Sequence, residues 1–136
     1  MRYLAGAFIA AFVSAGAAPA WASDARIELT AHVPASCSMS FTQDVARLSD
    51  DTFTLGSVEQ FCNTNYELTL LHAPVESGKQ FRFGDRSVNA GPGMTVLQPN
   101  GRPVIGSRLL LISGLDEAAA EALGHSLVLQ VTPLAL

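Results

Sequence analysis

The chain has 136 residues, 8 Lys/Arg against 12 Asp/Glu, and a formal net charge of −4. That balance excludes the clustered positive charge of a nucleic-acid surface, and no basic stretch suits an anionic lipid surface. Two cysteines and three histidines stand nowhere at metal-ligand spacing.

The amino end has three parts. Arg2 is a positive start, residues 4–18 are apolar apart from Gly and Ser, and Ala20-Trp21-Ala22 is a small-x-small site. This predicts a signal peptide over residues 1–22, cut after Ala22. The apolar run is about 15 residues, short of the ~20 that span a bilayer. Export without membrane insertion after cleavage is the expectation. The remainder, residues 23–136, is one domain's worth and can bury about two-thirds of its unfolded surface. Cys37 and Cys62 both fall within it, and an even count in an oxidising compartment predicts a disulfide.

After the leader the period is two almost throughout. Residues 26–33 alternate cleanly, placing Ile27, Leu29, Ala31 and Val33 on one face of a strand. Pro34 ends that segment. A short strand over 37–41 puts Cys37, Met39 and Phe41 on one side. Asp50-Asp51 marks a turn, and Phe53, Leu55 and Val58 lead toward Cys62. Asn63-Thr64-Asn65 predicts a second turn before a core strand at 66–72, with Tyr66, Leu68 and Leu70 inward.

Residues 80–83 predict a strand with Phe81 and Phe83 on one face, and Gly84-Asp85 a turn. Residues 89–93 read as a Gly/Pro-rich loop, 94–97 as a strand, and Pro99-Asn100-Gly101 as a turn. Residues 108–112 predict a buried strand. Asp116 reads as an N-cap for a helix of about two turns, with Gly124 as its stop. The last strand, 126–132, places Leu127, Leu129 and Val131 together. Short strands with turn signals every eight to twelve residues point to an all-β sandwich, best matched by an immunoglobulin-like one.

No catalytic set emerges. His32, His72 and His125 are far apart and share no motif, and no Ser sits in a G-x-S-x-G elbow. Asp50-Asp51 and Asp116-Glu117 read as a solvated turn and a helix cap. Gly91-Pro92-Gly93 lacks the Lys and helix of a phosphate loop. The expectation is a protein that is not an enzyme and takes no cofactor.

The first segment is a strong strand at the extreme amino end of the exported part, and the last runs to the carboxyl terminus. A seven-strand sandwich needs a closing edge strand beside it, and no obvious sequence for one is found. Such a gap exposes core and unpaired backbone, which a strand from another chain cures.

In this order the residues resemble the spore-coat-protein-U-like domain and the archaic chaperone–usher pilin subunits. The resemblance rests on the run from Arg26 to Cys37; on Leu55-Gly56-Ser57-Val58, read as a turn; on Cys62 followed by Asn63-Thr64-Asn65-Tyr66-Glu67-Leu68; and on the closing strand. It implies an incomplete immunoglobulin-like sandwich over 36–136 that lacks its last strand. It also implies an amino-terminal donor extension over 23–35, with Ile27, Leu29, Ala31 and Val33 inserting.

The implied partners are a periplasmic chaperone that contacts the last strand at Leu127, Leu129 and Val131, an outer-membrane usher, and other copies or related pilin subunits. The implied function is a surface fibre or coat subunit in adhesion or biofilm formation, passing through the periplasm to the cell surface. Alternation alone does not separate a donated strand from a resident one. A self-contained secreted or periplasmic binding module is the competing reading.

Overall fold

In the computed structural model, which describes residues 30–134, the period-two segments assemble into two antiparallel sheets with one short helix and one disulfide. Residues 33–134 belong to one compact unit. The leader, with Ile27 and Leu29, lies outside the described residues. Residues 30–36 are exposed and carry no regular secondary structure.

The first hairpin joins β1 (Cys37–Arg47) to β2 (Thr52–Cys62). Cys37 lies opposite Cys62, and the two are disulfide-bonded across the ladder. The turn at Asp50-Asp51 closes this hairpin, where Leu48 N–H donates to Thr52 O at 2.9 Å. Residues 55–58 do not turn. They run inside β2, whose register against its neighbours shifts at Gly56. Phe53, Leu55 and Val58 are all fully buried although 55 and 58 differ in parity, because the bulge resets the alternation between them.

Beyond the turn at 63–65, β3 (Tyr66–Leu71) enters the second sheet. A tight hairpin follows, β4 (Gln80–Phe83) and β5 (Arg86–Asn89), turned at Gly84-Asp85 as the sequence predicts. β5 was not legible: only Val88 of its four residues turns partly inward, too little for a periodic signal.

The next strand, β6 (Met94–Gly101), continues through Pro99-Asn100-Gly101 instead of turning there. β6 is an edge strand, so Pro99 forfeits no ladder bond on its open side. β7 (Val104–Ser113) then crosses the first sheet beside β2 and β4. The sheet orders are β1-β2-β7-β4-β5 and, once β8 (Val128–Pro133) joins, β6-β3-β8. The predicted strand at 37–41 is therefore the start of β1, and that at 108–112 the later part of β7, where Leu110, Leu111 and Ile112 are buried but Arg108 and Leu109 are exposed.

The helix α1 (Glu117–Ser126) starts where predicted but runs through Gly124. Asp116 Oδ1 accepts from Ala119 N–H at 2.8 Å, the geometry of an N-cap. Gly124 is buried against β1. A Cβ there would sit 2.7 Å from Val45 Cγ2, so the glycine permits close packing rather than ending the helix. At the far end Ser126 Oγ donates to Leu123 O at 2.8 Å and accepts from Ala73 N–H at 3.0 Å. Asp116→Ala is expected to lower unfolding free energy by about 1 kcal/mol, read as a small drop in Tm.

Both sheets and the helix share one core. Phe53, Leu55 and Val58 meet Leu68 and Leu70 from the other sheet, with Phe81, Phe83, Leu97, Leu110 and Ile112; Ala120 and Leu123 close it from α1. Each large side chain so buried contributes about 1.5–3 kcal/mol.

Candidate functional site: the open side between β1 and β8

The half-buried apolar rim of the core lies mostly along its first and last strands. β1 hydrogen-bonds only to β2, and β8 only to β3, among the described residues. They belong to different sheets, yet their Cα atoms approach within 8 Å. Each therefore turns an unpaired backbone edge toward the same side of the molecule.

The side chains along these edges report incomplete closure. Cys37, Met39, Phe41 and Val45 of β1 pack against the core but stay half-buried. Leu127, Leu129 and Val131 do the same from the carboxyl end. Their ladder partners are fully enclosed: Leu129 lies opposite Leu70, Val131 opposite Leu68, and Phe41 opposite Val58. On both strands burial falls from the inner ladder partner to the edge.

The other pair of edges, β5 and β6, is built differently. β5 is four residues long and mostly polar, and β6 carries Pro99 and two register irregularities. These are the usual devices that blunt an edge against further pairing. β1 shows no charge or proline over its first seven residues, Cys-Ser-Met-Ser-Phe-Thr-Gln, and β8 none before Pro133. An uncharged, proline-free edge of this kind is a template for another strand.

The predicted residues distribute as follows. Cys37 and Cys62 meet as a disulfide at one end of the gap. Leu127, Leu129 and Val131 line its β8 side. Ala31 and Val33 are exposed, Val33 at 73%. Sequence reasoning placed Met39 and Phe41 on one face but did not see that they form the opposite wall. The signal was their alternation on the strand that directly follows the predicted donor segment.

The histidines do not converge. His72 is buried and satisfied: Nε2 lies 2.9 Å from Thr95 Oγ1, and Nδ1 lies 2.7 Å from Ala73 O. A carbonyl only accepts, so Nδ1 carries the proton. Thr95 Oγ1 also accepts from Gly91 N–H at 2.9 Å, which ties His72, just past β3, and the loop at Gly91 to β6. His125 is exposed and lies 3.2 Å from Gln43 Nε2, joining α1 to β1. Among the described residues no three His, Cys, Asp or Glu side chains gather at metal-binding geometry.

One other surface feature stands out. On the outer face of the larger sheet Phe61 and Ile105 lie opposite one another, 55% and 77% exposed, beside a depression of about 450 Å³ shared with Ser38 and Ser40. No protein-family model, curated protein or solved structure matches the chain.

Proposed function

We propose that the chain is a structural subunit of a secreted fibre or coat, assembled by insertion of one copy's amino-terminal segment into the gap of the next. The observation that carries this reading is the pairing of two unprotected edges, β1 and β8, across a strip of half-buried apolar side chains.

Strand order supports it. An immunoglobulin-like sandwich places its first, second, fifth and fourth strands in one sheet, and its third, sixth and seventh in the other. With β5 and β6 counted as additions, β1-β2-β7-β4 and β3-β8 match the first six positions of that plan. The seventh position, beside β8 and facing β1, has no occupant among the described residues. In this reading the fold is an immunoglobulin-like sandwich short of one strand.

The alternating segment Ile27, Leu29, Ala31 and Val33 suits that position. Inserted between β1 and β8 it would pair its backbone with both and cover Met39, Phe41, Leu129 and Val131. A chaperone strand would hold the same place in the periplasm, and an usher would exchange one for the other during export. Adhesion or biofilm formation is the biological role consistent with such a fibre.

A synthetic peptide of residues 23–35, added to the domain over 36–136, is expected to raise its Tm with increasing concentration. Saturation at about 100 Kd corresponds to about 2.7 kcal/mol of added stability. No shift at millimolar peptide, with the domain folded, overturns the proposal. The exposed Phe61–Ile105 pair favours a second reading as a binding module, in which the outer sheet face is the working surface.

A further inference from the structure

We infer that Asn63 fixes residues 34–36 in line with β1, so that the segment before them is delivered to a second copy of the chain; this rests on the donated-strand reading above. β2 ends at Cys62, opposite Cys37, but the ladder continues past it. Asn63 N–H donates to Ser36 O at 3.0 Å. Its side-chain Oδ1 accepts from Ser36 N–H at 2.7 Å, and its Nδ2 donates to Pro34 O at 2.9 Å.

A side-chain amide offers the same acceptor and donor as a peptide group. Here it supplies the next rung after β2 stops, and residues 34–36 are bound as if β2 went on. Pro34 adds its own restriction, because its φ is fixed and it biases Val33 toward extended backbone.

The neighbourhood makes that restraint consequential. Cys37 pairs with Cys62, the turn at 63–65 follows, and Tyr66 pairs with Pro133. The start of β1 and the end of β8 therefore share one end of the gap. The same turn holds the carboxyl end: Leu134 N–H donates to Asn65 O at 2.8 Å, and Thr64 Oγ1 donates to Leu134 O at 3.3 Å.

To fill its own gap, the segment must reverse beside β1, and a hairpin needs at least two turn residues. With residues 34–36 held, the reversal falls on Val33 and the residues before it. A two-residue turn there takes His32 and Val33 and sets Ala31 beside Pro34, so two of the four apolar side chains meant for insertion fall short of the strip that begins at Cys37. A second copy receives all four. Asn63 is thus a positioning residue that favours chain growth over self-closure.

The test uses the mature chain, residues 23–136, as wild type, Asn63→Ala and Asn63→Asp. Asn63→Ala removes both side-chain bonds; Asn63→Asp keeps the acceptor for Ser36 and loses the donor to Pro34. Amide exchange at Ser36 is read by NMR, and the share of monomer that no longer multimerises by light scattering on a sizing column. Asn63→Ala is expected to speed Ser36 exchange about tenfold and raise the closed-monomer share several-fold, with Asn63→Asp between it and wild type.

Faster exchange with an unchanged monomer share overturns the inference, as does unchanged exchange in a folded variant. If Asn63→Ala does not fold, Asn63→Asp decides by the same two readings. Excess peptide 23–35 separates the two levels. It is expected to cap and shorten the multimers of wild type and variants alike. If it leaves all of them intact, the donated-strand reading fails, and the inference with it.

Discussion

Replacing both cysteines, as Cys37→Ala with Cys62→Ala, is expected to lower unfolding free energy by about 3.5 kcal/mol. The bridge spans 25 residues, and closing a loop of that length restricts the unfolded chain by this order on the chain-entropy account. Domains of this size are stable by only about 5–15 kcal/mol, so the loss is a large share. The consequence is also local. The bridge fastens the first residue of β1 to the last of β2, and β1 is held in the sheet on that side alone. Without it the strand frays from Cys37 inward, and Met39 and Phe41 leave the wall of the gap. Urea unfolding of the double variant should show a lower midpoint, and peptide 23–35 should bind it more weakly than the oxidised domain. A midpoint unchanged by substitution and by reductant contradicts this account.

The second large effect is expected at Gly56. Its φ of +149° is one that side chains rarely adopt, and a Cβ there would collide with Thr42 O and the Phe41 ring. The residue sits in the bulge that lets Phe53, Leu55 and Val58 all face inward. Gly56→Val combines backbone strain with overpacking between two paired strands. The two together are expected to cost about 4 kcal/mol. Thermal unfolding should show a lower Tm, and the near-ultraviolet signal from Phe41 and Phe53 should weaken. Gly106→Val is the comparison. Its φ of +159° imposes similar backbone strain, but nothing lies within 4 Å of a Cβ added there, so its loss should be smaller by the overpacking part. Equal losses at the two positions would mean that the bulge is not what fixes β1 against β2.

Period-two alternation carried most of the fold. Tyr66, Leu68 and Leu70, and Phe81 with Phe83, were legible because each strand has one buried face and a polar or partly exposed alternate. Where the reading failed, a local signal met a tertiary cause. Gly124 and Pro99 are ordinary stop signals, but one is small to admit Val45 and the other rides an edge that needs no donor. Leu55-Gly56-Ser57-Val58 has turn composition, yet the glycine serves a bulge inside a long strand. β5 was silent because a four-residue, mostly polar edge has too few apolar positions to count.

The site was half legible. Leu127, Leu129 and Val131 showed their common face in one dimension. That this face looks across at Met39 and Phe41 could not be read so. The two strands lie at opposite ends of the chain and in different sheets, and their approach follows from how the sheets stack. The bonds from Asn63 to residues 34 and 36 were hidden for a related reason, since a turn-forming asparagine gives no sign that its amide extends a ladder.

A fibre subunit differs from a self-contained module in whether the side between β1 and β8 is filled from another molecule. Purified chains over residues 23–136 and 36–136, compared at equal concentration by sizing with light scattering and by electron microscopy, test that directly. The longer chain is expected to form linear multimers and the shorter one to remain a folded monomer. A longer chain that stays monomeric at every concentration, with β1 and β8 amides as exchange-protected as those of β2 and β3, contradicts the account.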